Sequence, residues 1–422
     1  MRIGHFRRAT RLFKELGPGL VTGAADDDPS GIATYSQAGA RFGFNMLWTL
    51  VLTYPLMSAI QLVSAEIGRV TGAGLAKNMG EVFPRPVVTA LVALLFFANT
   101  INIAADLAGM GAAAKLALGW NSHVATVAFG LGSLLLQVFV SYRRYARILK
   151  ILTLALLTYV ATLFVVEVDW GAALVSLVRP EFKLDGGAMT MIVAVFGTTI
   201  SPYLFFWQSA QEVEEVNENP KAKPLRQAPR QAKRELARIR MDTLVGMAFS
   251  NIVAMAIMLA TAATLYANGK TDIQTAAEAA EALRPVAGPF AFALFSLGII
   301  GTGLLAVPVL AGSAAYALSE TRGWNEGLDE KPWHAVGFYS VIGAAMLLGV
   351  AIDFSPLDPI KALFWSAVLN GVVAVPIMAA MMLVASRRDR MGRFTIGPWV
   401  RAGGWGATAV MGVAAVAMFF AR

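Results

Sequence analysis

Long apolar segments constrain the fold of this chain more than any other feature. About eleven of them approach the ~20 residues that one helix needs to cross the hydrocarbon core of a bilayer. They lie near residues 17–41, 45–67, 87–118, 123–141, 147–167, 188–211, 241–266, 287–319, 333–352, 360–385 and 398–421. Because these runs are long, continuous and without alternating polarity, they predict membrane helices rather than barrel strands.

The composition agrees with an all-α polytopic membrane protein. Of the 422 residues, 57% are hydrophobic and only 15% are charged, which is far from the usage of soluble proteins. The first apolar segment holds aspartates and a proline and lacks a small-residue cleavage pattern, so we expect it to remain as a span. Cysteine is absent from the sequence, which excludes disulfides and thiolate metal sites.

The basic residues indicate the orientation in the cell (inner) membrane. Four basic stretches, 1–14, 141–150, 217–240 and 386–394, fall on one side if the N-terminus is cytoplasmic, as the positive-inside rule requires. An odd number of spans then places the C-terminus outside. This topology accounts for the net charge of +8, so the basic residues do not indicate a nucleic acid. Membrane lipids are the expected surroundings, and no obligate protein partner is expected. A solvated connector is predicted over about 213–240.

Two apolar segments are interrupted by proline at matching places. One contains "DDDPSGIATYSQAGA" (26–40) and the other "TTISPYLFFWQSAQEVEE" (198–215). Proline inside a helix removes a backbone hydrogen bond and frees carbonyl groups. Paired interrupted spans in two halves of opposite direction predict an inverted repeat with a central binding site. A single transmembrane domain, 1–422, would contain repeats over about 17–167 and 188–385 and an extra span over about 398–421.

The aspartates at the first interruption predict a cation site. A charged aspartate at mid-membrane costs ~2.5–3.5 kcal/mol on insertion scales, so these side chains must line a cavity or meet a cation. A short aqueous loop with solvated aspartates is the alternative. Carboxylates, freed carbonyls, hydroxyls and water form an oxygen ligand set that suits hard divalent cations.

Three segments carry a resemblance to a known family. They are "GPGLVTGAADDDPSGIATYSQAGARFGFNMLW", "ADLAGMGAAAKLALG" and "FGTTISPYLFFWQSA". They resemble the natural resistance-associated macrophage protein (Nramp) divalent-metal transporters, and the resemblance extends over nearly the whole chain. It implies a LeuT-type fold of 5+5 inverted repeats plus one span, with the first and sixth helices broken.

The resemblance also implies the ligands of the metal. Asp28 matches the aspartate of the family's Asp-Pro-Gly-Asn motif, while Ser30 and Gly31 replace its last two residues. Ser201 stands where the family has a methionine thioether that favours manganese and iron. The resemblance further assigns a metal-binding carbonyl to Thr198 and, in some conformations, one to Ala25. We expect Asp27 to act through water and Ser201 to offer a hydroxyl or space for water.

The proton-coupling residues of the family are largely replaced. Asp106 remains from its Asp-Leu-Ala-Glu motif, but Gly109 replaces the glutamate, Asn99 replaces a further acidic residue and Gln208 replaces a histidine. The transport pathway is therefore predicted to contain these side chains: Gly31, Tyr203, Asp106, Asn99, Gln208 and Asn370. Asn102 is interpreted as a hydrogen-bonding residue between helices rather than an ion contact.

These departures resemble the Nramp-related magnesium transporters. We therefore expect alternating-access transport of Mg²⁺, with Mn²⁺ as a second substrate, and without proton coupling, enzymatic activity or a cofactor. Mg²⁺ gives up its waters reluctantly and suits a site with few side-chain ligands. Three alternatives stay open: a proton-coupled Mn²⁺ transporter, a sodium-coupled carrier of a small solute, and a receptor that binds a divalent ion without moving it.

Overall fold

The computed structural model describes residues 18–140, 154–181, 185–328, 330–355 and 358–421. Short 3₁₀ turns join several of its α-helices. In chain order the helices are α1 (Pro18–Asp26), α2 (Pro29–Phe42), α3 (Leu47–Thr71), α4 (Leu75–Gly80), α5 (Arg85–Leu118), α6 (Ser122–Phe139), α7 (Leu157–Thr162), α8 (Trp170–Val178), α9 (Gly186–Thr199), α10 (Pro202–Glu218), α11 (Ala232–Thr264), α12 (Ala276–Ala280), α13 (Arg284–Ala287), α14 (Ala291–Arg322), α15 (Val336–Asp353), α16 (Pro359–Ser386), α17 (Arg388–Met391) and α18 (Pro398–Phe420).

The all-helical, multi-pass architecture is confirmed. Within the described ranges, nine helical stretches are long and apolar enough to cross a membrane, and one of them, Pro29–Thr71, combines parts of the first two predicted spans. The basic stretches 1–14 and 141–150, and the start of the span predicted over 147–167, lie outside the described residues. The inverted relation between the two halves stays a prediction.

Both predicted helix breaks are present, and the local sequence explains them. Pro29 opens α2 and Pro202 opens α10, where the missing proline N–H would have had no helical partner. Asp28 is the N-cap of α2 and accepts a hydrogen bond from the Gly31 N–H. Such a cap satisfies one of the free amides at a helix start. The chain therefore stops and restarts a helix within the membrane core.

Helix packing places these two breaks at the centre of the molecule. Helices α1 and α2 pack on α11, α9 packs on α16, and α5 packs along α14 and also contacts α2. Small residues permit the closest approaches: a Cβ on Gly23 would lie 2.3 Å from the Gly246 carbonyl oxygen, and one on Gly197 would lie 2.0 Å from that of Ala367. Small residues at helix contacts are typical of membrane proteins.

The connector predicted over 213–240 is shorter than expected, because both of its ends are helical. Helix α10 continues to Glu218 and α11 begins at Ala232. Several charged side chains in these helices pair with one another, while Lys233 and Arg240 face outward. Arg238 on α11 donates to Glu212 at 2.5 Å and to Glu235 at 3.3 Å, and Arg69 on α3 lies 3.5 Å from Glu235. This network joins three helices at one end of the bundle.

A glutamate in the loop after α14 provides a test of the packing there. Burial, reinforced by the nearby Glu320 carboxylate, raises the pKa of Glu326 from 4.5 to about 8. The folded protein therefore holds this proton more tightly than the unfolded chain. The stabilisation is complete below pH 4.5 and is lost as the pH rises through 8.

We expect the melting temperature of the parent protein to fall relative to that of Glu326→Gln as the pH rises from 5 to 8, with a constant gap above that range. Thermal unfolding in detergent across this pH range measures the gap. Glu330→Gln, at an exposed neighbouring position, is the matched control for removal of one carboxylate from this loop. A gap independent of pH would contradict the assignment.

Candidate cation site at the broken helices

The Asp28 carboxylate lies at the break between α1 and α2 and is 1% exposed. Its Oδ1 accepts hydrogen bonds from the Gly31 N–H at 2.8 Å and from the Ser30 hydroxyl at 2.7 Å. Both donors belong to the first turn of α2, where the positive end of the helix dipole also favours a negative charge. The residues that replace the family's Gly-Asn pair thus hold one oxygen of this carboxylate.

The second oxygen of Asp28 faces other helices. Its Oδ2 accepts from the Asn102 amide on α5 at 3.0 Å and lies 3.4 Å from the Tyr203 hydroxyl on α10. The same hydroxyl is closer, at 3.0 Å, to the Ala25 carbonyl oxygen. A hydroxyl has one proton, so the shorter contact is its principal hydrogen bond. Tyr203 therefore connects the two helix breaks directly.

Asn102 is the site residue that the sequence analysis missed. It does bond between helices, as interpreted, but its partner is Asp28 itself. Asn370 on α16 reaches the Asn102 Oδ1 at 3.4 Å. The available signal was the four-residue spacing from Asp106, which places both side chains on one face of α5.

A hydroxyl group lies within hydrogen-bond distance of each predicted carbonyl ligand. Ser201 turns back onto α9 and lies 3.0 Å from the Thr198 carbonyl oxygen and 2.8 Å from that of Gly197. Tyr203 uses the Ala25 carbonyl in the same way. Each carbonyl oxygen has two lone pairs, so each keeps one for a cation. The Ser201 hydroxyl itself is directed along α9 in this conformation.

Asp26 and Asp27 face a different helix from Asp28. The Ser250 hydroxyl on α11 lies 2.6 Å from the Asp26 Oδ2 and 3.1 Å from the Asp27 Oδ1. Both carboxylates are almost fully buried, at 0% and 2% exposed. Asp26 and Asp27 therefore face α11, whereas Asp28 contacts groups on α2, α5 and α10.

The remaining predicted pathway residues serve different parts of the bundle. A Cβ on Gly31 would lie 3.0 Å from the Thr198 hydroxyl, which brings α2 and α9 together at the site. Gln208 accepts from Thr22 at 2.5 Å and so joins α10 to α1. Asn99 bonds α14 through the Leu310 carbonyl and the Ser313 hydroxyl. Asp106 is fully buried, and no side chain among the described residues donates to it.

The electrostatics of the site favour a cation. Within the described ranges, none of the ion pairs involves Asp26, Asp27, Asp28 or Asp106. A buried charge without a partner is costly, and neutral donors only partly compensate for it. The described part of the chain holds no group of three His, Cys, Asp or Glu side chains arranged for a metal. A metal here would combine the Asp28 carboxylate with the Ala25 and Thr198 carbonyls and water, because Asn102 turns its amide nitrogen to Asp28 and its oxygen to Asn370.

Comparisons with known proteins point to one family. Residues 19–421 match the family model described as "Nramp: Natural resistance-associated macrophage protein-like". A divalent metal cation transporter MntH from Klebsiella pneumoniae (strain 342) is 28% identical over 96% of this chain and 94% of its own length. The MntH of Yersinia pestis (strain Pestoides F) is 31% identical over 72% of this chain and 73% of its own.

Solved structures confirm the LeuT-type fold. The Eremococcus coleocola manganese transporter superposes with a TM-score of 0.73 at 16% identity, covering 96% of this chain and 86% of that one. MhsT in complex with L-phenylalanine superposes with a TM-score of 0.64 at 13% identity, covering 96% and 98%. At such identities the likeness concerns the fold alone, so the function must be argued from the site.

We expect Asp28→Asn to weaken Mg²⁺ and Mn²⁺ binding by at least ~100-fold, since loss of outer-shell partners alone costs ~10–100-fold at metal sites. Asp26→Asn is the matched control, because it removes a buried carboxylate that faces Ser250, and it should have a smaller effect. Titration calorimetry on purified protein measures both. Equal losses in two folded variants would contradict the special position of Asp28.

Proposed function

Because this chain belongs to the Nramp family, we propose that it is a secondary transporter that carries hard divalent cations, Mg²⁺ ahead of Mn²⁺, into the cytoplasm. The buried Asp28 carboxylate carries this proposal. It lies between two broken helices and is surrounded by hydroxyl and amide groups, with no cationic side chain among the described residues paired to it. Alternating access would expose this one site to each side of the membrane in turn.

The ligand chemistry supports Mg²⁺. The described side chains that hydrogen-bond Asp28 and the two carbonyls offer hydroxyl and amide groups. A thioether would favour softer transition metals, whereas carboxylate, carbonyl and water suit Mg²⁺, Ca²⁺ and Mn²⁺. Mg²⁺ is commonly bound by one or two carboxylates while it keeps several waters. We assign Asp28 as the direct ligand, the Ala25 and Thr198 carbonyls as further oxygen ligands, and Ser201 and Asp27 as water-mediated contacts.

Transport without proton coupling is part of the proposal. Asn99, Gly109 and Gln208 cannot carry a proton where the family motifs have titratable residues, and Asn99 is used to bind α14. The membrane potential would then drive entrance of the ion, with about 4.6 kcal/mol per 100 mV for a divalent cation. We place the protein in the cell membrane with a cytoplasmic N-terminus and an external C-terminus, and assign it no enzymatic activity.

Proton-coupled Mn²⁺ transport is the second candidate function. One observation favours it: Asp106 is fully buried, and no described side chain donates a hydrogen bond to it. An aspartate in such an environment is suited to take up and release a proton. Mn²⁺ also accepts carboxylate, carbonyl and water ligands.

Uptake into proteoliposomes distinguishes the two functions. We expect Mg²⁺ uptake that rises with an inside-negative potential and leaves the lumenal pH unchanged. Asp28→Asn proteoliposomes provide the blank for leakage. Mn²⁺ uptake that acidifies the lumen, with no response to Mg²⁺, would overturn the first proposal in favour of the second. Binding of Mg²⁺ without uptake of any ion would indicate a receptor.

Ser201→Met tests whether the α10 N-cap position selects the metal. We expect the ratio of Mn²⁺ to Mg²⁺ uptake to rise by ~10-fold or more, equivalent to about 1.4 kcal/mol of selectivity, because a thioether would approach the ion. Ser201→Leu adds similar bulk without sulfur and should lower both rates together. An unchanged ratio in Ser201→Met would exclude this residue from contact with the ion.

A further inference from the structure

A cavity of about 500 Å³ opens at the C-terminal end of α5. Its wall includes Ala112 and Lys115 on α5, Thr275 and Ala276 before and in α12, and Asp358 at the start of α16. In the proposed topology this end of α5 faces the exterior. The rim is polar, whereas the wall deeper in the bundle is apolar.

A much smaller space of about 10 Å³ continues this cavity toward the cation site. Ala276 and Ile360 line both spaces, while Ala33 on α2 and Gly109 on α5 line only the inner one. A cavity needs roughly 10–15 Å³ to hold one water molecule. The inner space is therefore too narrow for a hydrated divalent cation in this conformation.

One face of α5 connects the outer cavity with Asp28. Asn102, Asp106, Gly109, Ala112 and Leu116 follow one another at spacings of three or four residues, which places them on a single helix face. Ala112 and Leu116 line the outer cavity, Gly109 lines the narrow space, and Asn102 donates to Asp28. Asp106 lies between the narrow space and the site along this face.

The side chain of Leu363 on α16 occupies the space beside Gly109, which has no side chain of its own. A Cβ on Gly109 would lie 3.0 Å from the Leu363 Cδ1, and Leu363 itself is 1% exposed. The Asp-Leu-Ala-Glu motif of the family has a glutamate at the position of Gly109. In this chain, the apolar side chain of Leu363 lies beside that position instead. Ile273 and Phe295 complete the apolar wall.

The segment that contains α12 contributes Ala276 to both spaces, and its own hydrogen bonds hold it in place. Helix α12 begins with a capping box between Thr275 and Glu278, and Glu278 also accepts from the Gln274 N–H at 2.7 Å. Lys270 and Glu281, which flank α12, form an ion pair. Opening the route therefore requires movement of α12 or of Leu363 on α16.

We propose that the outer cavity is the entrance for the hydrated cation, that the ion descends along this face of α5, and that Leu363 against Gly109 closes the route. This inference rests on the proposed transport function, because it identifies how the same site is reached. An apolar contact of this kind does not bind a hydrated ion. It blocks the ion's passage until α5 and α16 separate.

Thiol labelling tests the route, because the native chain has no cysteine to give a background. Single variants Ala112→Cys, in the outer cavity, and Ala33→Cys, at the constriction, are treated with an impermeant cationic methanethiosulfonate from the outside. We expect Ala112→Cys to react at least ~10-fold faster. Adding Leu363→Ala should raise the rate of Ala33→Cys at least ~10-fold. Leu383→Ala, an exposed position on the same helix, should leave that rate unchanged.

Equal labelling of Ala33→Cys and Ala112→Cys in the parent background, or no response of Ala33→Cys to Leu363→Ala, would overturn the proposal. Thiol labelling does not depend on ion flux, so it tests the route separately from the function. If the labelling rates are as expected but the protein transports no divalent ion, the proposed function is contradicted and the proposed route is not. Mg²⁺ uptake is then measured before and after Ala112→Cys is labelled. Loss of uptake supports the cavity as the entrance, and unchanged uptake contradicts it.

Discussion

The arrangement of Asp28 and Pro29 inside the membrane is the constraint on which the rest of the site depends. Proline cannot continue the hydrogen bonding of α1, and the aspartate before it caps the new helix α2. The break thus places a carboxylate and free backbone carbonyls at the same depth. A second break, at Ser201 and Pro202, lies beside it because α10 packs against α1.

A buried carboxylate also determines what surrounds it. Two donors come from α2 itself, one comes from α5, and the Tyr203 hydroxyl comes from α10. These groups are neutral, so they hold the position of the carboxylate without cancelling its charge. A site that is ordered but not electrically balanced suits a cation that must bind and then leave. A lysine or arginine in the same place would compete with the ion.

The conformation described here keeps Asp28 almost completely buried. At one end of the bundle, the Arg238 network joins α3, α10 and α11. At the other end, Leu363 packs against Gly109 on α5 below the outer cavity, where the proposed route would be closed. The two closures differ in kind, since one consists of charged pairs and the other of apolar packing. Under the proposed alternating access, opening either end alone would expose the site to one side of the membrane.

Much of the architecture was predictable because it depends on local patterns. The length of apolar runs predicts the helices, and proline in mid-span predicts both breaks. Asp28 lies at the first break, as the position directly before the proline predicts, and its role as the first ion ligand stays a prediction. The extent of the connector was wrong, since Glu212, Glu235 and Arg238 are paired through contacts between helices. Sequence spacing alone does not reveal such pairs.

The sequence by itself therefore determined the membrane helices, the two breaks and the oxygen-rich character of the site. Only the tertiary structure decided that Asn102 bonds Asp28, that Asp26 and Asp27 turn to Ser250, and that Leu363 fills the space at Gly109. The physical reason is that a hydrogen bond or a steric contact between helices depends on their rotation and depth. Those are set by the packing of the whole bundle, which brings together residues that are 74 to 254 positions apart, as for Asn102 with Asp28 and Leu363 with Gly109.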